Sequence, residues 1–92
     1  MSRSITARRY LISGLVQGVG FRYFAQRAAR QTGVTGWVRN LDDGRVEVYA
    51  NGAREQLDGL ESRLRSGPPR ADIRGFEVAE ASPTDAQSFY IR

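Results

Sequence analysis

The residues with the most specific chemistry lie in one short segment, Gly14-Leu15-Val16-Gln17-Gly18-Val19-Gly20-Phe21-Arg22. A glycine-bearing loop that leaves a strand and opens a helix brings several backbone N–H groups to the helix N-terminus, where they and the helix dipole favour an anion. Gly18 and Gly20 let the backbone turn and approach a ligand without a Cβ clash. Arg22 falls in the first helical turn, where a cation opposes the dipole by about 0.3 to 1 kcal/mol and adds charge to an anion site. The segment therefore indicates an anion site, with a tight turn and a surface arginine as the alternative.

The composition excludes most other catalytic chemistries. The 92 residues contain no cysteine and no histidine, and all 14 cationic side chains are arginine. Disulfides, thiol nucleophiles, serine–histidine pairs, Schiff bases, lysine-dependent P-loops and nearly all structural zinc sites are therefore excluded. Arginine stays protonated near neutrality and presents a planar fork of donors, which suits it to holding an oxyanion. The net charge of +4 favours an anionic partner, but charge alone does not distinguish a nucleic acid, a membrane and a small phosphate.

Asn40 is the second candidate, because it is a polar residue on a strand face that is otherwise apolar. Because side chains alternate along a strand, Asn40 shares one face with Gly36 and Val38. It lies near the end of the strand, where its amide can donate to and accept from one bound water. Local rules favour the alternative that Asn40 starts the next turn with an Asx hydrogen bond. Asp42 and Asp43 form one adjacent acidic pair, which is a weak metal signal and suits a loop.

The elements that must position these residues follow from hydrophobic periodicity and from the Gly and Pro residues. They are a strand over 6–15, a helix over 21–31, hairpin strands over 34–41 and 45–50, a turn at Asn51-Gly52, a helix over 53–65, a strand over 71–81 with a bulge near Gly75, and a short strand over 88–91. This order predicts an α+β split β-α-β sandwich (β-α-β-β-α-β), an antiparallel sheet with both helices on one face. We expect one domain over residues 1–92, because a chain of this length has room for one core.

The register of the predicted hairpin depends on the length of its turn. A three-residue loop over 42–44, with Gly44 in the left-handed conformation, places like side chains opposite each other: Val38 with Val48, Trp37 with Tyr49 and Arg39 with Glu47. A two-residue loop at Asp43-Gly44 would shift this pairing by one residue and mix the two faces. The three-residue loop is the prediction.

Together these residues resemble the acylphosphatase family. Two long and specific signatures carry the resemblance, the loop over 14–22 and the hairpin Gly36-Trp37-Val38-Arg39-Asn40 with Asp43-Gly44, and the match extends over nearly the whole chain. The resemblance implies a free-standing domain with a ferredoxin-like fold. It also implies hydrolysis of the carboxyl–phosphate bond of an acyl phosphate to a carboxylate and inorganic phosphate, without a metal or another cofactor.

The resemblance also implies the catalytic residues, Arg22 to bind the phosphate and Asn40 to orient the attacking water. The residues expected at the phosphate are Val16, Gln17, Gly18, Val19, Gly20, Phe21 and Arg22, within a loop that begins at Leu15. An acyl phosphate is a small dianion with a good leaving group, so its hydrolysis needs charge stabilisation and a positioned water more than a strong base. Since no residue here is an obvious general base, we expect a phosphate oxygen of the substrate to accept the proton of the water.

The partners expected from the sequence are small molecules. We expect a cytoplasmic monomer that acts on an acyl phosphate, can hold a phosphate or sulfate ion in its site, and binds no nucleic acid and no membrane. Neither a secretory signal nor an apolar run long enough to span a bilayer is evident. The alternative is a catalytically silent ferredoxin-like module that binds an anion or RNA, although residues 45–49 do not supply the RNP1 run of an RNA-recognition motif.

Overall fold

A computed structural model describes residues 4–92 of the chain and shows the predicted order of helices and strands. The elements are β1 (Thr6–Leu15), α1 (Phe21–Thr32), β2 (Thr35–Asn40), β3 (Val46–Gly52), α2 (Arg54–Ser66), β4 (Asp72–Ala81) and β5 (Phe89–Ile91). The strands form one sheet in the order β4-β1-β3-β2-β5. The α+β, ferredoxin-like fold class predicted from the sequence is confirmed.

The edge of the sheet differs from the prediction of a wholly antiparallel arrangement. The strands β1 to β4 pair antiparallel, but β5 runs parallel to β2, with Trp37 opposite Tyr90. The reason is the path of the chain after β4, which crosses the sheet from one edge to the other over residues 82–88. Because that crossing stays at the end of the sheet where β4 finishes, β5 runs opposite to β4 and in the same direction as β2. The sheet is therefore mixed.

The hairpin between β2 and β3 has the predicted register. Its pairs are Val38 with Val48, Trp37 with Tyr49 and Arg39 with Glu47. The N–H of Leu41 donates to the carbonyl oxygen of Arg45 at 2.8 Å, which closes a three-residue loop, and Gly44 has the expected left-handed conformation with φ of +95°. The bulge predicted near Gly75 is also present, because the pairing of β1 with β4 shifts by one residue at Arg74. Both features could be predicted from the alternation of side chains and from the turn residues.

Both helices pack on one face of the sheet and close the core against it. The sheet contributes buried residues of β1, β2, β3 and β5, and the helices contribute one side of each. The largest buried side chains, including Val16 of the loop before α1, are Tyr10, Phe21, Phe89, Ile12, Leu57, Leu60, Leu64, Val16, Val38, Val46 and Val48. No helix within residues 4–92 has the length and apolar character needed to cross a membrane.

Asn51 and Gly52 lie in β3, and the prediction of a turn at these residues is wrong. Asn-Gly is a strong turn signal, but both residues pair with β1, which supplies the backbone partners that continue the strand. Asn51 is only 4% exposed, and its Oδ1 accepts from the backbone N–H of Thr84 at 2.9 Å and from the hydroxyl of Tyr49 at 3.0 Å. This amide therefore fixes the segment that leads into β5.

We expect Asn51→Ala to lower the free energy of unfolding by about 1 to 3 kcal/mol, because it leaves the N–H of Thr84 without its partner inside the protein. Urea unfolding followed by circular dichroism measures this change. The control is Gln87→Ala, whose side chain donates to the carbonyl of Asp85 at the surface and should change stability by less than about 0.5 kcal/mol. An effect of Asn51→Ala no larger than that of the control would contradict this role.

Candidate active site

The predicted anion-binding loop lies where β1 passes into α1. Gly18 and Gly20 have left-handed backbone conformations, with φ of +74° and +79°. A Cβ at either position would meet nothing within 4 Å, so glycine is needed for the backbone conformation rather than for space. Gly20 is the N-cap of α1, and no side chain caps the helix. The N–H groups of the first turn have no acceptor in the helix and are therefore open to an anion.

A small cavity at this loop contains both predicted catalytic residues. Its volume is about 140 Å³, and its lining consists of Val16, Gly18, Gly20, Phe21, Arg22, Tyr23 and Asn40. Sites for drug-sized ligands have volumes of about 300 to 1,000 Å³, so this cavity suits a small anion together with a water molecule. Of the residues predicted at the phosphate, Gln17 and Val19 do not line it.

Arg22 gives the cavity a positive charge that no described carboxylate neutralises. The ion pairs within residues 4–92 involve six other arginines, which are Arg8, Arg9, Arg39, Arg45, Arg65 and Arg74. The first turn of α1 contains no acidic residue, so the positive end of the helix dipole and the guanidinium lie together without compensation. This arrangement favours an anion with several acceptor oxygens, to which an arginine fork can donate more than one hydrogen bond.

Asn40 lies at the end of β2, opposite Val46 and on the helix-covered face of the sheet, as predicted. Its Oδ1 is buried and has no hydrogen-bond partner in the described part of the chain. The Asx bond that local rules favoured is made instead by Asp43, whose carboxylate accepts from the N–H of Arg45 at 3.1 Å. A buried carbonyl oxygen without a partner is costly. Since Asn40 lines the cavity, its side-chain amide is a candidate to hydrogen-bond a water molecule beside the anion site.

The acidic loop of the hairpin lies outside the cavity. Hydrogen bonds from the backbone N–H and the guanidinium of Arg45 hold the pKa of Asp43 below its usual range. Neither Asp42 nor Asp43 lines the cavity, and residues 4–92 contain no group of three His, Cys, Asp or Glu side chains that could hold a metal ion. The loop interpretation of this acidic pair is therefore supported by its contacts.

Three neighbours of the site have positions that sequence reasoning did not determine. The Nε2 of Gln17 donates to the carbonyl oxygens of Leu41 at 2.8 Å and Arg45 at 3.0 Å, so this side chain reaches the hairpin rather than the cavity. Val19 packs against the core, whereas Tyr23 lines the cavity although it is 68% exposed. No local sequence signal predicts the two contacts of Gln17, because its partners Leu41 and Arg45 are separated from it by 24 and 28 positions in the chain.

Comparison with known proteins assigns this chain to a family. The family described as acylphosphatase matches residues 8–91. The chain belongs to the acylphosphatase family. An acylphosphatase of Solibacter usitatus (strain Ellin6076) is 57% identical over 86 residues, which are 94% of this chain and 90% of that protein. The resemblance seen in the sequence is thereby confirmed, as is the enzyme class of the family, the hydrolases of EC 3.6.1.7.

Solved structures of the family have the same fold. The acylphosphatase from Bacillus subtilis superposes with a TM-score of 0.92 at 38% identity, over 95% of this chain and 98% of that one. The acylphosphatase from Coxiella burnetii superposes with a TM-score of 0.91 at 36% identity, over 96% of this chain and 93% of that one. The overall fold of this chain is therefore that of solved acylphosphatases.

The unpaired charge of Arg22 predicts that this residue lowers stability. We expect Arg22→Gln to raise the free energy of unfolding by about 0.3 to 1 kcal/mol in phosphate-free buffer of low ionic strength, because it removes a cation from the positive end of α1. Arg30 lies in the last turn of the same helix, where a cation is favourable, so Arg30→Gln should lower stability by a similar amount. Urea unfolding measures both variants, and a loss of stability in Arg22→Gln would contradict the prediction.

Proposed function

We propose that this chain hydrolyses the carboxyl–phosphate bond of acyl phosphates, with the phosphate held by Arg22 and the loop over 15–21 and the attacking water held by Asn40. The observation that carries the proposal is the presence, in one cavity, of an unneutralised cation, an uncapped helix N-terminus and a buried amide oxygen without a partner. Membership of the acylphosphatase family supports an acyl phosphate as the substrate.

The phosphate end of the site stabilises charge with donors that are already in place. Arg22 follows Phe21, which is 2% exposed and anchors the start of α1 in the core. The guanidinium and the N–H groups of the first turn therefore need little reorganisation when the anion binds. In phosphoryl transfer the transition state spreads charge over the non-bridging oxygens. Donors that hold these oxygens lower the barrier without taking part in proton transfer.

The water end of the site depends on Asn40. Its free Oδ1 accepts a hydrogen bond from the water, which orients a lone pair of the water oxygen towards phosphorus. A bond forms between the water oxygen and phosphorus, while the bond between phosphorus and the acyl oxygen breaks and leaves its electron pair on the carboxylate. The proton of the water passes to a non-bridging phosphate oxygen. Among the described residues no carboxylate lines the cavity, and the titratable side chains that do are Arg22 and Tyr23.

The proposed enzyme acts as one domain and as a monomer. One core cluster includes residues of β1, β2, β3, both helices and β5, which supports a single domain over residues 1–92. The proposal needs no metal or other cofactor, because charge stabilisation and orientation of the water come from the chain itself. A phosphate or sulfate ion is expected to compete with the substrate for the loop.

The first test is hydrolysis of benzoyl phosphate at neutral pH with excess EDTA. We expect turnover by the wild type and a loss of about 10²-fold or more in kcat/KM for both Arg22→Ala and Asn40→Ala, the scale of removing one oxyanion donor. Arg22→Ala should also lose inhibition by inorganic phosphate, whereas Asn40→Ala should retain it. The control is Arg27→Ala, an exposed arginine of the same helix that does not line the cavity.

Failure of folded wild-type protein to turn over would overturn the proposal. The chain would then be the anion- or RNA-binding module considered above. Filter binding of RNA at increasing salt concentrations would separate those two cases, because binding to a phosphate backbone weakens steeply with salt.

The absence of a carboxylate from the cavity also predicts the pH dependence. We expect kcat for benzoyl phosphate to stay constant between about pH 6.5 and 9, because the second ionisation of a phosphate lies near pH 6 and no described carboxylate lines the cavity. Any break at lower pH should follow the ionisation of the substrate, measured separately by ³¹P NMR. A break near neutrality that differs from the substrate's own would mean that a group of the enzyme transfers the proton.

A further inference from the structure

The side chain of Gln17 joins the anion-binding loop to the hairpin that carries Asn40. Its amide nitrogen donates to two carbonyl oxygens, those of Leu41 at 2.8 Å and Arg45 at 3.0 Å. A side-chain NH₂ has two protons, so both are used in these bonds. Two bonds from one planar group fix the orientation of the loop as well as its distance from the hairpin.

The two acceptors, Leu41 and Arg45, flank the three-residue loop of the hairpin, and we call this pair the neck of the hairpin. Leu41 directly follows Asn40 in the chain. The N–H of Leu41 donates to the same carbonyl of Arg45 at 2.8 Å, which locks the neck into one conformation. Asn40 is the last residue of β2, so its side chain moves with this neck. The two bonds of Gln17 therefore tie the loop to the segment that carries the amide of Asn40.

No other hydrogen bond within residues 4–92 joins the loop to the neck. Gly18 and Gly20 have no side chains to make one, Val19 packs against the core, and the Oδ1 of Asn40 has no partner in the described chain. Gln17 is half-buried, which shields its two bonds from competition with water. Strand pairing and core packing place the two halves of the cavity side by side, and Gln17 supplies the side-chain hydrogen bonds that join them directly.

We infer that Gln17 is a positioning residue, which holds the anion-binding loop in register with Asn40 so that the water and the phosphate meet in line. The inference rests on the proposed function, but the side chain of Gln17 does not line the cavity, because its amide N–H groups donate to the hairpin. A displacement of about 1 Å in such a site can cost about 10²-fold in rate. The charge that binds the phosphate comes from Arg22 and the start of α1, which Gln17 does not supply.

A double-mutant cycle with Asn40 separates positioning from a merely structural role. We expect Gln17→Ala to lower kcat for benzoyl phosphate by about 10-fold or more while the inhibition constant of inorganic phosphate changes less than about 2-fold. In the Asn40→Ala background, Gln17→Ala should change kcat by less than about 3-fold, because the group that it positions is already absent. Gln17→Met keeps the length of the side chain without the donors and serves if Gln17→Ala does not fold.

The matched control is Gln26→Ala. The Nε2 of Gln26 donates to the carbonyl of Phe89 at 3.2 Å, so this variant also removes a glutamine bond between two elements, but away from the cavity. Its kcat should remain within about 2-fold of the wild type. Circular dichroism and thermal unfolding of all variants show that the comparison is made between folded proteins.

Two kinetic outcomes would overturn the inference. An equal fall in kcat with and without Asn40 would show that Gln17 acts independently of it, and a weakened phosphate inhibition with unchanged kcat would make Gln17 part of the phosphate site. The side-chain amide resonance of Asn40 in a ¹H–¹⁵N spectrum tests the same point without turnover. It should shift or broaden in Gln17→Ala and not in Gln26→Ala. An unchanged resonance in Gln17→Ala would overturn the inference, whether or not the wild type is active. An inactive wild type would overturn only the proposed function.

Discussion

The site depends on positive charge that is left unneutralised at the start of α1. Arg22 adds a cation where the helix dipole is already positive, an arrangement that opposes helix stability by about 0.3 to 1 kcal/mol. The fold tolerates this cost because the same turn is anchored by Phe21, which is 2% exposed in the core. The left-handed conformations of Gly18 and Gly20 then bring the backbone into the turn that precedes the helix. The start of α1 is therefore electrostatically complementary to an anion.

The sheet determines that this charge lies beside Asn40. The strands β1 and β2 are both antiparallel to β3, so they run in the same direction. Their C-terminal residues therefore lie at the same end of the sheet. With β3 between them, the two ends are about 10 Å apart. The loop after β1 crosses part of this distance, and Gln17 spans the remainder with two hydrogen bonds. Residues that are far apart in the chain thus form two walls of one small cavity.

The elements and the hairpin register could be predicted because they depend on local information. Alternation of side chains and the position of Gly44 were enough to pair Val38 with Val48, since a shift of one residue would have exposed an apolar face. The failure at Asn51-Gly52 shows the limit of such reasoning. A strong turn signal was overridden by pairing with β1, and the amide of Asn51 instead found partners beyond β4. The parallel pairing of β5 likewise follows from a crossing that no local pattern describes.

The sequence by itself excluded chemistry that depends on histidine, lysine or cysteine, and it indicated an anion site. Without histidine, lysine or cysteine, the chain has arginine, amides and backbone N–H groups, and its glycine-bearing loop points to an anion. Only the tertiary structure decided that the Oδ1 of Asn40 has no partner among residues 4–92 and that Asn40 shares a cavity with Arg22. It also decided that the side chain of Gln17 reaches the hairpin. The physical reason is that these contacts join residues brought together by strand pairing, and their geometry is set by the sheet rather than by neighbouring residues in the chain.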